Sequence, residues 1–150
     1  MARQKDIQNR KKLILNHIGL ADVYLMYAEA QMRNSGATNG SMNQTGIASQ
    51  QSVDYINNLR ERAFGNQTGN VTISQVSLQF ILDERLRELH WESHRRQDLI
   101  RFNNFSGGNY NWAWKGNGAN GIPIPAYTKL YPIPTQSLAV NPNLTQNPGY

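Results

Sequence analysis

Cysteine is absent from the 150-residue sequence. Its absence excludes disulfides, thiolate metal sites and a cysteine nucleophile, and leaves the redox compartment open. Charge is scarce as well: 17% of the residues are Asp, Glu, Lys or Arg, against about 25% in an average soluble domain. No stretch approaches the roughly 18 consecutive apolar residues of a membrane span. The opening MARQKDIQNRKKLILNHIG has basic residues but neither a long apolar core nor a small-residue cleavage site, so it does not read as an export signal. Lacking cysteine, it cannot carry a lipoprotein anchor. Missing too are the G-x-S-x-G nucleophile elbow, the phosphate loop and the dinucleotide fingerprint.

What charge there is leans positive, at +5 with a sequence pI near 9.7. Only Arg10-Lys11-Lys12 forms a cluster. Arg85, Arg87, Arg95, Arg96 and Arg101 alternate with Asp83, Glu84, Glu88, Glu92 and Asp98. Interleaved charges make ion pairs, whereas a nucleic-acid face needs an unopposed positive field. Nucleic acid is therefore not an expected partner.

With 39% hydrophobic residues, the length suits one domain with a real core. Ile14, Ile18, Ala21, Leu25, Ala28 and Met32 recur at spacings of three and four, which predicts helix over 7–33, with Gly19 as a potential break. Residues 34–44 are a turn-rich linker. A second helix is expected from about Ile47 to Phe64, with Val53, Ile56, Asn57, Leu59 and Ala63 on one face and Gly65-Asn66 as the stop. A third should start at Ser74 or Ser77, bury Leu78, Leu82, Leu86 and Leu89, and end between His90 and Glu92. A short helix follows over Arg95 to Phe102. Beyond Asn103 the chain is rich in Gly, Asn, Pro and aromatics, and only Thr135 to Ala139 reads as a helical turn. The expected fold is mainly α: helix pairs followed by long irregular loops.

Three local patterns bear on chemistry. His90 and His94 sit four apart, on one face if the helix continues, and so could share a metal. Yet Glu92 does not directly follow the first histidine, as the zinc-protease motif requires, and nothing ties His17 to the pair. A polar helix end is expected there, with no metal. The carboxylates of the charged block each have an arginine at helical spacing: Glu84 with Arg87, Glu88 with Arg85, Glu92 with Arg95 or Arg96, and Asp98 with Arg101. Opposite charges keep carboxylates ionised, while a general acid needs a raised pKa. Structural ion pairs are expected there and no catalytic residue.

The third pattern is Tyr110-Asn111-Trp112-Ala113-Trp114-Lys115. In an extended segment, residues two apart point to the same side. Both indole rings could then stack on the C–H faces of sugars while Asn111 and Lys115 bond hydroxyls. Alternatively, the two tryptophans anchor a long loop onto the helices. Tyr110, Asn111, Trp112, Trp114 and Lys115 are the candidate glycan-binding residues.

Taken in order, LADVYLMYAEAQMR, ILDERLRELHWESHRRQDLIRF, YNWAWKG, LYPIP and NPNLTQNPGY resemble the C-terminal part of SusD/RagB-family proteins, over roughly residues 20–150. The resemblance implies a helical protein built on tetratricopeptide-like helix pairs, with Leu20 to Arg33 and Ser52 to Phe64 forming one pair. It implies a non-enzymatic receptor without a cofactor, held on the outer-membrane surface of Bacteroidetes-type bacteria. Such a receptor binds an oligosaccharide or polysaccharide and serves a SusC-like TonB-dependent transporter. Asp83, Glu84, Arg85, Arg87, Glu88, Arg95, Asp98 and Arg101 match the family signature, whose role reads as structural. Family glycan contacts come mostly from variable loops, so no binding residue carries over by motif. Residues 1–19 are an atypical N-terminal segment, because His17-Ile18-Gly19 stands where the family has an extended segment with an arginine. A truncated chain with a foreign start is the expectation, together with self-association through apolar surface that the rest of the fold would cover. The alternative function is a helical protein-interaction module without a sugar site.

Overall fold

The structure is a computed structural model that describes residues 19–39, 42, 48–107, 111–114 and 118–150. The chain divides into two compact units, Met1–Arg95 and Arg96–Tyr150. The class is mainly α, as expected.

Among the described residues, three α-helices make the first unit. Helix α1 spans Leu20–Asn34 and follows Gly19 as its N-cap; residues 7–18 of the expected helix lie outside the described residues. Of the predicted stripe, Leu25, Ala28 and Met32 are completely buried and Ala21 is half-buried, while Ile14 and Ile18 lie outside the described residues. Helix α2 spans Gln50–Phe64. The Ser49 hydroxyl accepts from the Ser52 amide at 3.2 Å, satisfying one of the N–H groups that a helix start leaves without a partner. Left-handed Gly65 ends the helix. Val53, Ile56 and Leu59 turn inward against α1, and Tyr55 stacks on Tyr24 with centroids 4.3 Å apart. These two helices are the expected tetratricopeptide-like pair.

Helix α3 spans Leu78–Glu88 and packs on α1. Ser77, one of the two proposed caps, accepts from the Phe80 amide at 3.0 Å. Ser74 instead belongs to a 3-10 turn, Ile73–Gln75. The apolar stripe needs one correction. Leu78, Leu82 and Leu89 are buried, but Leu86 is 39% exposed, and Ile81 takes its place in the core. Residues four apart advance about 40° around a helix, so Leu86 has rotated about 80° from Leu78. The inward arc is centred on Arg85, which meets Asp22 of α1 at 2.7 Å. Both members of that ion pair are buried, in contact but without the alignment of a linear hydrogen bond. The helix stops at Glu88, short of the expected 90–92. Trp91 and Ser93 then adopt left-handed backbone, and the Arg95 guanidinium donates to the Leu82 carbonyl at 3.0 Å.

The second unit has little regular structure. Helix α4 spans Arg95–Arg101, with its first residue at the unit boundary. Leu99 is its buried apolar side chain, and Phe102, just past its end, is buried as well. A minimal antiparallel hairpin follows, β1 (Asn111–Trp112) with β2 (Ile122–Pro123), in the register Asn111 to Pro123 and Trp112 to Ile122. A 3-10 turn covers Ala126–Lys129, and α5 spans Thr135–Val140, within one residue of the expected turn.

Candidate functional site

Of the candidate sugar residues, Tyr110, Lys115 and the side chain of Trp112 lie outside the described residues. Asn111 is exposed at the start of β1. Strand β1 ends at Trp112 and the chain turns at Ala113 and Trp114, so the alternation that would put both indoles on one side does not extend to Trp114. Trp114 adopts φ 64°, a left-handed conformation uncommon for a bulky residue. It is 73% exposed. Its ring therefore does not anchor the loop; it projects into solvent from the end of a hairpin.

The charged block is tied together by ion pairs. Glu84 Oε2 receives Arg87 through Nε at 3.0 Å and through a terminal nitrogen at 2.5 Å, and Asp98 receives Arg101 at 2.9 Å. Two expected pairings are replaced by longer-range ones. Glu88 pairs with Arg62 of α2 instead of Arg85, because Arg85 is turned to Asp22. Arg95 and Arg96, expected against Glu92, bind main-chain carbonyls. Helical spacing finds partners on one helix and misses those on a neighbour. The end of α3 at Glu88 also removes the shared face assumed for His90 and His94, and His17 lies outside the described residues.

The motifs at the chain's end form a clamp. Gln146 binds Ile133 twice: its Oε1 accepts from the Ile133 amide at 2.8 Å and its Nε2 donates to the carbonyl at 2.9 Å. Asn147 donates to the Tyr131 carbonyl at 2.7 Å, and the Tyr150 hydroxyl to the Leu130 carbonyl at 2.8 Å. Between them Gly149 lies against Tyr127 with φ 97°; a Cβ there would stand 2.5 Å from the ring. Arg96 braces the same strip, donating to the Thr128 and Lys129 carbonyls. Its guanidinium sits 4.1 Å from the Tyr131 centroid and 4.9 Å from that of Phe105. LYPIP and QNPGY are two halves of one interaction: the backbone polar groups of an irregular strip are satisfied by side chains from a second strip.

Concave pockets lie among the described residues of the helical unit. One of about 510 Å³ is lined by Gln50, Val53, Asn57 and residues 71–74. It has no aromatic ring, and the Asn57 amide is engaged at both ends by the Val71 backbone, at 2.8 and 3.0 Å. Another, of about 340 Å³, is lined by Leu59, Arg60, Ala63, Phe64, Phe80, Glu84, Arg87 and Glu88. The sequence reading missed this second group because it joins α2 to α3 through residues without a shared periodicity.

The family model described as SusD family matches residues 8–150. The starch-binding protein SusD of Bacteroides thetaiotaomicron is 39% identical over 131 residues, 87% of this chain and 20% of that protein. A SusD-like protein of Formosa agariphila is 38% identical over 138 residues, 87% of this chain and 24% of that one. Among solved structures, a SusD superfamily protein from Parabacteroides distasonis aligns with a TM-score of 0.63 at 32% identity, covering 87% of this chain and 26% of its own. A Bacteroides vulgatus protein described as sugar binding aligns at 0.59 and 29% identity, covering 89% and 28%. The chain thus spans between a fifth and a quarter of the length of these curated relatives.

Proposed function

We propose, from the premise that the chain belongs to the SusD family, that it contributes to a non-enzymatic glycan receptor. The receptor takes up an oligosaccharide or polysaccharide at the outer-membrane surface and hands it to a SusC-like TonB-dependent transporter. The supporting observation is Trp114, an indole exposed at the end of a hairpin in a chain 39% identical to a starch-binding protein. An exposed ring offers an apolar face to sugar C–H groups with little reorganisation, and Tyr110, Asn111, Trp112 and Lys115 are its neighbours in the sequence.

Tryptophan fluorescence tests this reading. The chain is titrated with a panel of neutral polysaccharides and oligosaccharides that begins with starch-derived glucans. Binding should perturb the emission, and Trp114→Ala should weaken it while leaving the helical circular-dichroism signal unchanged. Emission that no glycan perturbs would sink the loop as a sugar site.

One observation favours the alternative, a helical interaction module. Leu20, Val23, Met26 and Tyr27 form an exposed apolar stripe on α1, spaced so that they share a face. Light scattering decides: concentration-dependent association that Val23→Glu and Met26→Lys abolish would support a docking face, and a clean monomer would remove it. Among the described residues no helix is long and apolar enough to cross a membrane.

A further inference from the structure

We infer that the 340 Å³ pocket between α2 and α3 is a second sugar subsite, one that takes a single neutral pyranose unit; the inference rests on the glycan-receptor reading above. Its volume falls at the low end of the range for small-ligand sites, about 300–1,000 Å³. Two aromatic rings, Phe64 and Phe80, supply apolar contact surface, and Phe64 is 54% exposed.

The lining groups are already engaged with one another or with the backbone. Phe64 lies against Gly69, where a Cβ would come within 2.5 Å of its ring, so any side chain at that position would displace it. The Arg60 Nε donates to the carbonyl of the same glycine, and a terminal nitrogen of Arg60 donates to Glu84 Oε2 at 2.8 Å. Arg87 meets that same oxygen. The two guanidiniums stand 5.7 and 5.8 Å from the Phe80 centroid. Glu88 is paired with Arg62. Groups already fixed cost little entropy to use in binding.

The charge pattern selects the ligand. Arg60 and Arg87 are both paired with Glu84, and Glu88 with Arg62, so every cation at the pocket already has a carboxylate beside it and none stands unopposed to draw a phosphate or a carboxylate. Forked donors beside carboxylate acceptors suit vicinal hydroxyls, which donate and accept at once. Aromatic faces suit the C–H side of the same sugar ring. The larger pocket has neither a ring nor a charged pair and offers no comparable match.

The test uses the full chain carrying Trp114→Ala, which silences the loop ring. Neutral malto-oligosaccharides are titrated calorimetrically and by saturation-transfer NMR. Residual binding should persist, with saturation reaching the sugar from phenylalanine protons. Adding Phe64→Ala or Arg87→Gln should weaken it about tenfold, the effect of losing one aromatic or charge-assisted contact. Leu86→Ala, exposed on the same helix and outside the lining, should leave it unchanged. If Trp114→Ala abolishes all binding that the parent chain shows, the pocket is not a subsite and the receptor reading stands. Affinity unmoved by both Phe64→Ala and Arg87→Gln overturns the inference equally. A parent chain that binds no glycan overturns the inference and the reading together. Should Phe64→Ala fail to fold, Arg87→Gln decides, because its side chain is 54% exposed.

Discussion

Between Leu20 and Leu89 the chain buries a continuous set of apolar side chains, among them Leu25, Met32, Ile56, Ile81 and Leu82, around the ion pair of Arg85 and Asp22. Between Phe102 and Tyr150 the buried side chains among the described residues are Phe102, Ser106 and Ile124. The second region is shaped by side-chain hydrogen bonds to the backbone, from Arg96, Gln146, Asn147 and Tyr150. A helix satisfies its own backbone and needs only an apolar stripe to dock. An irregular strip has no such ladder, so its N–H and C=O groups must find partners elsewhere in the sequence. Both regions carry family motifs, and the motifs do different physical work in each.

The comparison breaks most sharply at Asp22. Asp22→Ala removes the carboxylate that faces the buried Arg85 and should destabilise the helical unit by about 3–5 kcal/mol, measured by urea unfolding followed at 222 nm. Replacing both partners, as Asp22→Leu with Arg85→Met, should recover most of that loss; failure to recover would mean that the pair supplies something beyond mutual neutralisation. Next comes Ile81→Ala, expected to cost about 2–5 kcal/mol as a core truncation. Leu86→Ala should stay within about 0.5 kcal/mol. Equal losses at the two positions would refute the corrected stripe.

In the second region, Gln146→Ala removes both bonds to Ile133 and should cost about 1–3 kcal/mol locally. Amide exchange at Ile133 should accelerate while exchange in α1–α3 stays as it was. Protection lost throughout the chain would show that the two regions unfold together. Trp114→Ala should have the smallest effect, within about 0.5 kcal/mol of thermal stability, because an exposed ring supports no packing. A larger loss would return the indole to the role of an anchor.

Periodicity and stop signals were enough to outline α1, α2 and α3, though not their exact ends, because an apolar stripe and a stop are local properties of each segment. Ser49, Ser77 and Gly65 act within a turn of where they stand. The order of the charged block and the terminal motif likewise identified the family from the sequence. Tertiary structure decided everything that depends on a residue far along the chain. Arg85 faces Asp22 instead of Glu88, Leu86 leaves the core, and Gln146 seals the Ile133 strip. The 340 Å³ pocket joins Phe64 to Phe80 through nothing that either segment's spacing records. The cause is the same in each case: a helix repeats every 3.6 residues, whereas the partner across an interface is set by how two helices or two strips are brought together in space.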